Sequence, residues 1–388
     1  MSDILAQAQA IFPYMVEFRR DLHRHPELSM GETRTSQRIA AQLSALGLEP
    51  VMLRPSGVVA HIDGARPGPL LVLRADIDAL PIQETSGVDF TSVNAGVMHA
   101  CGHDMHAAML LGAARLLAEN KEQLSGRVRL IFQPGEESGQ GGLAVIEQGW
   151  LAEAQAALAL HVAPQVPVGT VITRPGPILP AVGRFTIRVL GRSCHGAMPE
   201  QGADASVAAA AILLNLQAVV SRELSPLAPA VLTVGSLHSG VGYNVVSGEA
   251  VMEGTVRLFD DQMHQTIPAL LQRHADHVAR SYACTATVDY SFDSPALVND
   301  RTVTDLALAA AARILPARMI VGDFPGVMGG EDFSVYTPHL PCAYLLLGAG
   351  GSYPIHNERL VLEEQALTVG AALHTCFALN FAADNPQK

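Results

Sequence analysis

Residues 128–161, VRLIFQPGEESGQGGLAVIEQGWLAEAQAALALH, alternate between strand and helix patterns. The largely apolar segment 128–132 predicts a buried strand, and apolar positions at helical spacing over 141–149 predict a helix. A second apolar run at 156–161 predicts another buried strand. Such a strand-helix-strand unit is typical of an α/β sheet whose faces are covered by helices.

The segments before this unit continue the alternation. Apolar residues at helical spacing predict an opening helix over 3–24 and a later helix over 104–120. Short apolar runs at 58–62 and 70–73 predict two further strands. We therefore expect a large α/β domain with its functional loops at the carboxyl ends of the strands, where open α/β sheets place their sites.

A change of pattern partway along the chain predicts a second domain. The order strand-helix-strand-strand-helix-strand is that of ferredoxin-like α+β domains. A chain of 388 residues also exceeds the size at which one core usually keeps growing. Proline-rich segments at 174–177 and 294–295 are typical of hinges. We expect a first domain formed by 1–182 and 295–388, with a second domain inserted over 183–294.

The composition excludes several classes of function. Lysine occurs only at Lys121 and Lys388 and the net charge is −12, so the chain lacks the clustered cations that bind nucleic acid. No apolar run approaches the roughly 20 residues that span a bilayer. Residues 1–10 lack the basic start of a secretory signal, and five scattered cysteines do not form a disulfide scaffold. We expect a cytoplasmic protein with reduced thiols, acting on a small molecule.

Chemistry-bearing residues concentrate in two segments. Residues 99–106, HACGHDMH, contain thiol and imidazole groups, which borderline metals such as zinc prefer. Residues 133–137, QPGEE, place two carboxylates at a strand end, where one can hold a metal while the other takes a proton. Each segment also has a structural interpretation, as a helix cap with surface histidines and as a solvated acidic turn. Isolated candidates elsewhere are Asp76, Asp78, His161 and His356.

Six motifs, in order along essentially the whole chain, carry a resemblance to a known family. They are DLHRHPEL (21–28), RADIDALP (74–81), MHACGHDMH (98–106), QPGEE (133–137), CHGAMP (194–199) and GGEDF (329–333). With them the chain resembles the aminoacylase and carboxypeptidase clan of two-metal hydrolases, specifically its hippurate hydrolase and auxin-conjugate amidohydrolase branch. The resemblance implies a zinc-aminopeptidase-like catalytic domain, a ferredoxin-like lid domain, and hydrolysis of the amide bond of N-acyl amino acids.

The resemblance also implies a site. Two divalent ions would be bound by five ligands: Cys101, His103, Glu137, His161 and His356. The thiolate of Cys101 would be shared between the two ions. Zinc suits these donors, and manganese, cobalt and nickel remain open. Glu136 is implied as the general base, which takes a proton from the attacking water and gives it to the leaving amine.

The clan usually has His-x-Asp where this chain has Asp76-Ile77-Asp78, and it usually bridges its metals with a carboxylate. We interpret Asp76, Asp78 and Asp104 as residues that orient ligand imidazoles.

In the lid, three residues match positions that contact substrate: His195, Asn244 and Arg257. His195 suits an oxyanion and Arg257 suits the substrate carboxylate. Arg257 as a surface charge and Asn244 as a turn residue are the structural alternatives. The resemblance implies a homodimer or homotetramer formed through the lid, and leaves open whether His195 acts within its own chain or across a dimer.

Other classes of function have less support. A dipeptidase or carboxypeptidase of the same clan stays open, because no motif marks the walls of the substrate pocket. Residues 139–144, GQGGLA, fit the G-x-G-x-x-A pattern of nucleotide-dependent oxidoreductases. However, Glu136 and Glu137 would repel a pyrophosphate there. A serine hydrolase lacks its G-x-S-x-G elbow. A metal-binding protein without turnover is disfavoured by the intact Glu136.

Overall fold

The computed structural model describes residues 3–384, which form two compact units. The first unit comprises residues 3–178, 297–326 and 331–384, and the second comprises Leu179–Ala296 and Val327–Gly330. The helices are α1 Ile4–Ala10, α2 Phe12–Arg24, α3 Thr33–Ala45, α4 His103–Glu119, α5 Gly141–Glu147, α6 Ala205–Ala218, α7 Asp261–Ser281, α8 Arg301–Ala312 and α9 Ala366–Asp384. The strands are β1 Val51–Met52, β2 Val58–Asp63, β3 Arg66–Asp76, β4 Ser125–Gln133, β5 Ala156–Pro164, β6 Val171–Ile172, β7 Gly176–Leu179, β8 Ala181–Leu190, β9 Cys194–His195, β10 Ala230–Ser239, β11 Val245–Val246, β12 Glu249–Leu258, β13 Thr285–Ser294, β14 Leu297–Asn299, β15 Ile320–Val321 and β16 Cys342–Gly350.

A mixed sheet of eight strands organises the first unit, in the order β1-β2-β4-β3-β5-β16-β6-β15. Its four central strands, β4, β3, β5 and β16, run parallel to one another. Their buried segments are near-continuous apolar runs, as expected for parallel strands covered on both faces. The predicted α/β class is therefore confirmed.

Helix α4 lies at the centre of the first unit and is buried from His103 through Ala114. Gly102 precedes it with φ of 89°, and a Cβ on this residue would lie 2.4 Å from Cγ2 of Val162 in β5. Only glycine combines this left-handed backbone with so close an approach. The start of α4 is thereby held against the end of β5.

The opening helix differs from its sequence prediction. The single helix expected over 3–24 is broken at Ile11 into α1 and α2. Pro13 lies in the first turn of α2, where its missing N–H removes no intrahelical hydrogen bond. A proline inside a continuous helix would remove one, so the chain starts a new helix instead.

The second unit contains a four-stranded antiparallel sheet in the order β10-β12-β8-β13. Its chain order, β8-α6-β10-β12-α7-β13, is the predicted ferredoxin-like one. The buried residues of α6 and α7 pack with those of the strands in one core. The unit is wider than the predicted 183–294 and includes the returning segment Val327–Gly330. A ribbon of β9 and β11 completes it.

One segment of the second unit departs from the expectation that no run could span a bilayer. Ala205–Glu223, which is α6 with the turn after it, is 19 residues long and apolar enough to cross a membrane by length and composition. Ala209, Ile212 and Leu216 of α6 are buried in the core of the second unit. Apolar residues of this segment therefore contribute to the core of the folded domain.

Candidate active site

Three parallel strands bring the candidate residues together at one edge of the first sheet. Asp76 is the last residue of β3, Gln133 is the last residue of β4, and His161 lies near the end of β5. Because β3 pairs in parallel with both β4 and β5, their carboxyl ends meet at the same edge. The QPGEE turn that follows β4 therefore starts beside Asp76.

The five predicted ligands form two groups that share one residue. Ligand atoms of Cys101, His103 and His161 all lie within 4.8 Å of one another, and so do those of Cys101, Glu137 and His356. Cys101 Sγ lies 3.4 Å from His161 Nε2, and His356 Nε2 lies 3.3 Å from Glu137 Oε1. The arrangement has the form of two adjacent cation sites with a common thiol.

The donor atoms in this cluster are better suited to binding a cation than to forming hydrogen bonds with one another. His103 Nε2 is buried and has no hydrogen-bond partner among residues 3–384. Burial raises the pKa of the Cys101 thiol well above its usual range, although the neighbouring His103 opposes this. A buried imidazole nitrogen and a buried thiol are suitable ligands for a soft or borderline cation, which would stabilise the thiolate directly.

Asp78 connects the two groups of ligands. Its Oδ1 lies 3.0 Å from His103 Nδ1, and its Oδ2 accepts the backbone N–H of Glu137 at 3.0 Å. Ser29 donates a further hydrogen bond to Oδ2. Burial alone would raise the pKa of Asp78, but the hydrogen bond with His103 holds it below its usual range. The ionised carboxylate thus fixes the His103 ring with Nε2 directed away from it.

Asp76 supports the site through a residue for which the sequence suggested no role. Its Oδ1 lies 2.5 Å from His106 Nδ1, and its Oδ2 accepts a hydrogen bond from Arg74 at 2.6 Å. His106 Nε2 accepts the N–H of Val162, the residue after His161. Burial lowers the pKa of His106 to about 4, so the ring is neutral and donates from Nδ1. Asp76 is also 3.8 Å from His103 Nε2.

Asp104 contacts a histidine other than the predicted ligands, together with an arginine. Its Oδ2 accepts a hydrogen bond from Arg19 Nε at 2.6 Å and lies 2.9 Å from His23 Nδ1. Neither Arg19 nor His23 is among the predicted ligands. The structure therefore places this carboxylate in a buried network that joins α2 to α4.

Glu136 lies beside two more carboxylates, those of the GGEDF motif. Oxygen atoms of Glu136, Glu331 and Asp332 all lie within 4.8 Å of one another, and the Asp332 N–H donates to Glu136 Oε1 at 3.4 Å. Burial raises the pKa of Glu136 well above its usual range, and the two acidic neighbours raise it further. Burial also favours the protonated form of Glu137, but its ion pair with His356 lowers its pKa. The adjacent carboxylates thus differ in proton affinity.

Arg74 gives the GGEDF carboxylates their counter-charge. Its Nη2 lies 2.7 Å from Asp332 Oδ1 and 3.0 Å from Glu331 Oε1, and Nε donates to Gln133 Oε1. The RADIDALP and GGEDF motifs contain Arg74, Glu331 and Asp332 without indicating these contacts. The pattern could not indicate them because Arg74 and Asp332 lie 258 residues apart in the chain.

The second unit holds the other three predicted site residues. His195 lies in β9, where its Nδ1 accepts the N–H of Ala197, so a neutral ring carries its proton on Nε2. The carbonyl of Asn244 accepts the N–H of Gly196. Arg257 lies in β12, and within the described part of the chain its buried Nη1 has no hydrogen-bond partner. His195 and Arg257 therefore each have a polar group available to a ligand.

The chain is similar to proteins of known family. Residues 72–380 match the model described as Peptidase family M20/M25/M40. An N-acetyl-L-cysteine deacetylase of Bacillus subtilis is 39% identical over 91% of this chain and 84% of its own length. An IAA-amino acid hydrolase, ILR1-like 2, of Arabidopsis thaliana is 35% identical over 99% of this chain and 88% of its own. A solved Bacillus subtilis protein described as a dinuclear metal binding peptidase of family M20 superposes with a TM-score of 0.86 at 35% identity, covering 97% of this chain and 99% of that one.

Proposed function

We propose, from the premise that this chain belongs to peptidase family M20/M25/M40, that it hydrolyses the amide bond of N-acyl amino acids with two divalent metal ions. The observation that carries the proposal is the pair of ligand groups sharing Cys101. Relatives named for the hydrolysis of N-acetylcysteine and of an indole-type amino acid conjugate support the N-acyl amino acid as substrate class.

We assign residues to each ion from these two ligand groups. Cys101, His103 and His161 would hold one ion, and Cys101, Glu137 and His356 would hold the other. The thiolate and imidazole donors favour zinc, while manganese, cobalt and nickel fit the same residues. When bound, two such ions would supply Lewis acidity, which polarises the scissile carbonyl and lowers the pKa of a bound water.

Glu136 is the residue we assign to proton transfer. Its carboxylate lies next to the ligand Glu137 but is directed towards Glu331 and Asp332. A buried carboxylate with a raised proton affinity can take a proton from the attacking water and return it to the leaving amine. Glu137, whose ion pair with His356 favours its ionised form, keeps the role of ligand.

The second unit supplies the groups that recognise substrate. The unpartnered Nη1 of Arg257 suits the substrate carboxylate, because a guanidinium left without a partner under burial gains a charge-assisted hydrogen bond on binding. The Nε2–H of His195 suits the oxyanion that forms at the carbonyl. We further propose a cytoplasmic homodimer in which each subunit's His195 acts on the partner's site.

A substrate panel tests the proposed function. Wild-type protein loaded in turn with zinc, manganese, cobalt or nickel is assayed on N-acetyl-L-cysteine, benzoylglycine, an indole-acetyl amino acid and unacylated dipeptides. We expect hydrolysis of at least one N-acyl amino acid to exceed that of every dipeptide in kcat/KM. Preference for dipeptides would assign the chain to the peptidase alternative, and no hydrolysis with any metal would contradict the proposal.

A further inference from the structure

We propose that Glu32, a residue outside every motif described above, is a positioning residue that fixes the turn carrying Glu136. The inference rests on the proposed role of Glu136 as general base. It concerns how the backbone of that residue is held, and so it does not depend on which acyl group the enzyme accepts.

The Glu32 carboxylate reaches the turn directly. Its Oε1 accepts the backbone N–H of Gly135, the residue before Glu136, at 2.7 Å and that of Met30 at 3.0 Å. The Ser56 hydroxyl donates to its Oε2. Glu32 is fully buried, so water cannot replace these hydrogen bonds. Removing the carboxylate would leave the Gly135 N–H without a partner.

Helix α3 does not require this carboxylate. Glu32 is the N-cap residue of α3, a position whose side chain usually accepts a hydrogen bond from the first turn, yet in the described structure it makes none. Glu27 does so in its place, accepting the N–H groups of Arg34 at 3.0 Å and Thr35 at 2.7 Å. The side chain of Glu32 is therefore available for the Gly135 turn.

The turn itself is tightly packed where Glu32 holds it. Gly135 has φ of +60°, and a Cβ there would lie 2.4 Å from Met30 Sδ. On the other side of Glu136, the N–H of Glu137 is accepted by Asp78. The backbone of the base is thus fixed on both sides by buried carboxylates. Asp78 also contacts a ligand imidazole, whereas the side-chain hydrogen bonds of Glu32 within residues 3–384 are to Met30, Ser56 and Gly135 and to no ligand side chain.

Replacement of Glu32 by leucine tests the inference. Because a shift of about 1 Å in a reacting group can cost roughly 10²-fold in rate, we expect Glu32→Leu to lower kcat about 10- to 100-fold. KM should stay within about 3-fold and the metal content at two ions per chain, since substrate and metal contacts are untouched. Glu32→Gln should keep kcat within about 3-fold, because its amide oxygen can still accept the Gly135 N–H while its nitrogen donates to Ser56.

Glu27→Ala is the matched control. It removes the cap of the same helix, and we expect a lowered melting temperature with unchanged kcat. Ser56→Ala removes one hydrogen bond from Glu32 without altering the carboxylate. It should lower kcat by about 2- to 10-fold at constant KM, and it decides the matter if Glu32→Leu does not fold.

Four results would each overturn the inference. The first two are a folded Glu32→Leu protein with wild-type kcat and a Glu32→Leu protein that has lost metal. The third is a Glu32→Gln protein as slow as Glu32→Leu. The fourth is a Glu27→Ala protein whose loss of kcat equals that of Glu32→Leu. If Glu32→Leu does not fold, an unchanged kcat in Ser56→Ala overturns it. Variants are compared on the substrate that the wild type cleaves fastest, whether N-acetyl-L-cysteine, benzoylglycine or a dipeptide. If the proposed substrate class is wrong, the substrate panel on the wild-type protein shows this, and the comparison among the variants is unaffected.

Discussion

Asp78→Asn is expected to weaken the binding of both metal ions. In the wild type Oδ1 of Asp78 contacts His103 Nδ1 and Oδ2 accepts the Glu137 N–H, so the carboxylate supports one ligand from each group. An asparagine has one acceptor oxygen, and placing it towards His103 turns its NH₂ group towards the Glu137 N–H. Two donors would then face each other in a buried place.

The magnitude follows from the usual effect of residues that orient metal ligands. Loss of such a partner typically costs about 10- to 100-fold in metal affinity, which corresponds to roughly 1.4–2.7 kcal/mol for each ion. Competition with a chelator of known affinity measures both binding constants. The matched control is Asp104→Asn, which alters a carboxylate bonded to Arg19 and His23 and should lower stability instead of metal affinity. Unchanged metal affinity in Asp78→Asn, or an equal loss in Asp104→Asn, would refute the reasoning.

Three further outcomes are expected from the roles assigned above. Glu136→Gln should lower kcat by about 10²- to 10⁴-fold with both metals retained, whereas Glu137→Gln should lose metal. Similar behaviour of the two variants in kinetic and metal assays would contradict the division of roles between the two carboxylates. Arg257→Ala should lower kcat/KM by about 10- to 100-fold for a substrate with a free carboxylate and leave its carboxamide analogue unchanged; equal losses on both would show that no carboxylate is bound there. Mixing inactive His195→Ala and Glu136→Gln proteins under subunit exchange should restore activity if His195 acts across a dimer, and no recovery despite proven exchange contradicts that route.

The elements that carry the site could be predicted because their signals are local. The runs that became β4 and β5 are largely apolar, and the QPGEE turn begins at the end of the first of them. Parallel neighbours then bring strand ends together without any further information. The resemblance to the two-metal clan was confirmed by the family match. That resemblance, and not the spacing of the residues, supplied the predicted ligand set.

The residues that orient the site could not be predicted because their contacts are distant in the chain. Asp104 bonds to Arg19, 85 residues away, and Glu32 bonds to Gly135, 103 residues away. Neither pairing leaves a pattern in a single sequence. Glu32 occupies the N-cap position of α3, yet the structure gives the capping hydrogen bonds to Glu27. The return of Val327–Gly330 to the second unit is likewise invisible to periodicity.

A metal titration tests the central claim most directly. Protein stripped with a chelator is reloaded stepwise with zinc, and bound metal and hydrolysis of an N-acyl amino acid are measured on the same samples, with Cys101→Ala in parallel. We expect activity to reach its maximum at two ions per chain, and Cys101→Ala to lose both metal and turnover because both ligand groups contain that thiol. Full activity with one ion or none, or an active Cys101→Ala protein with two ions bound, would contradict the account.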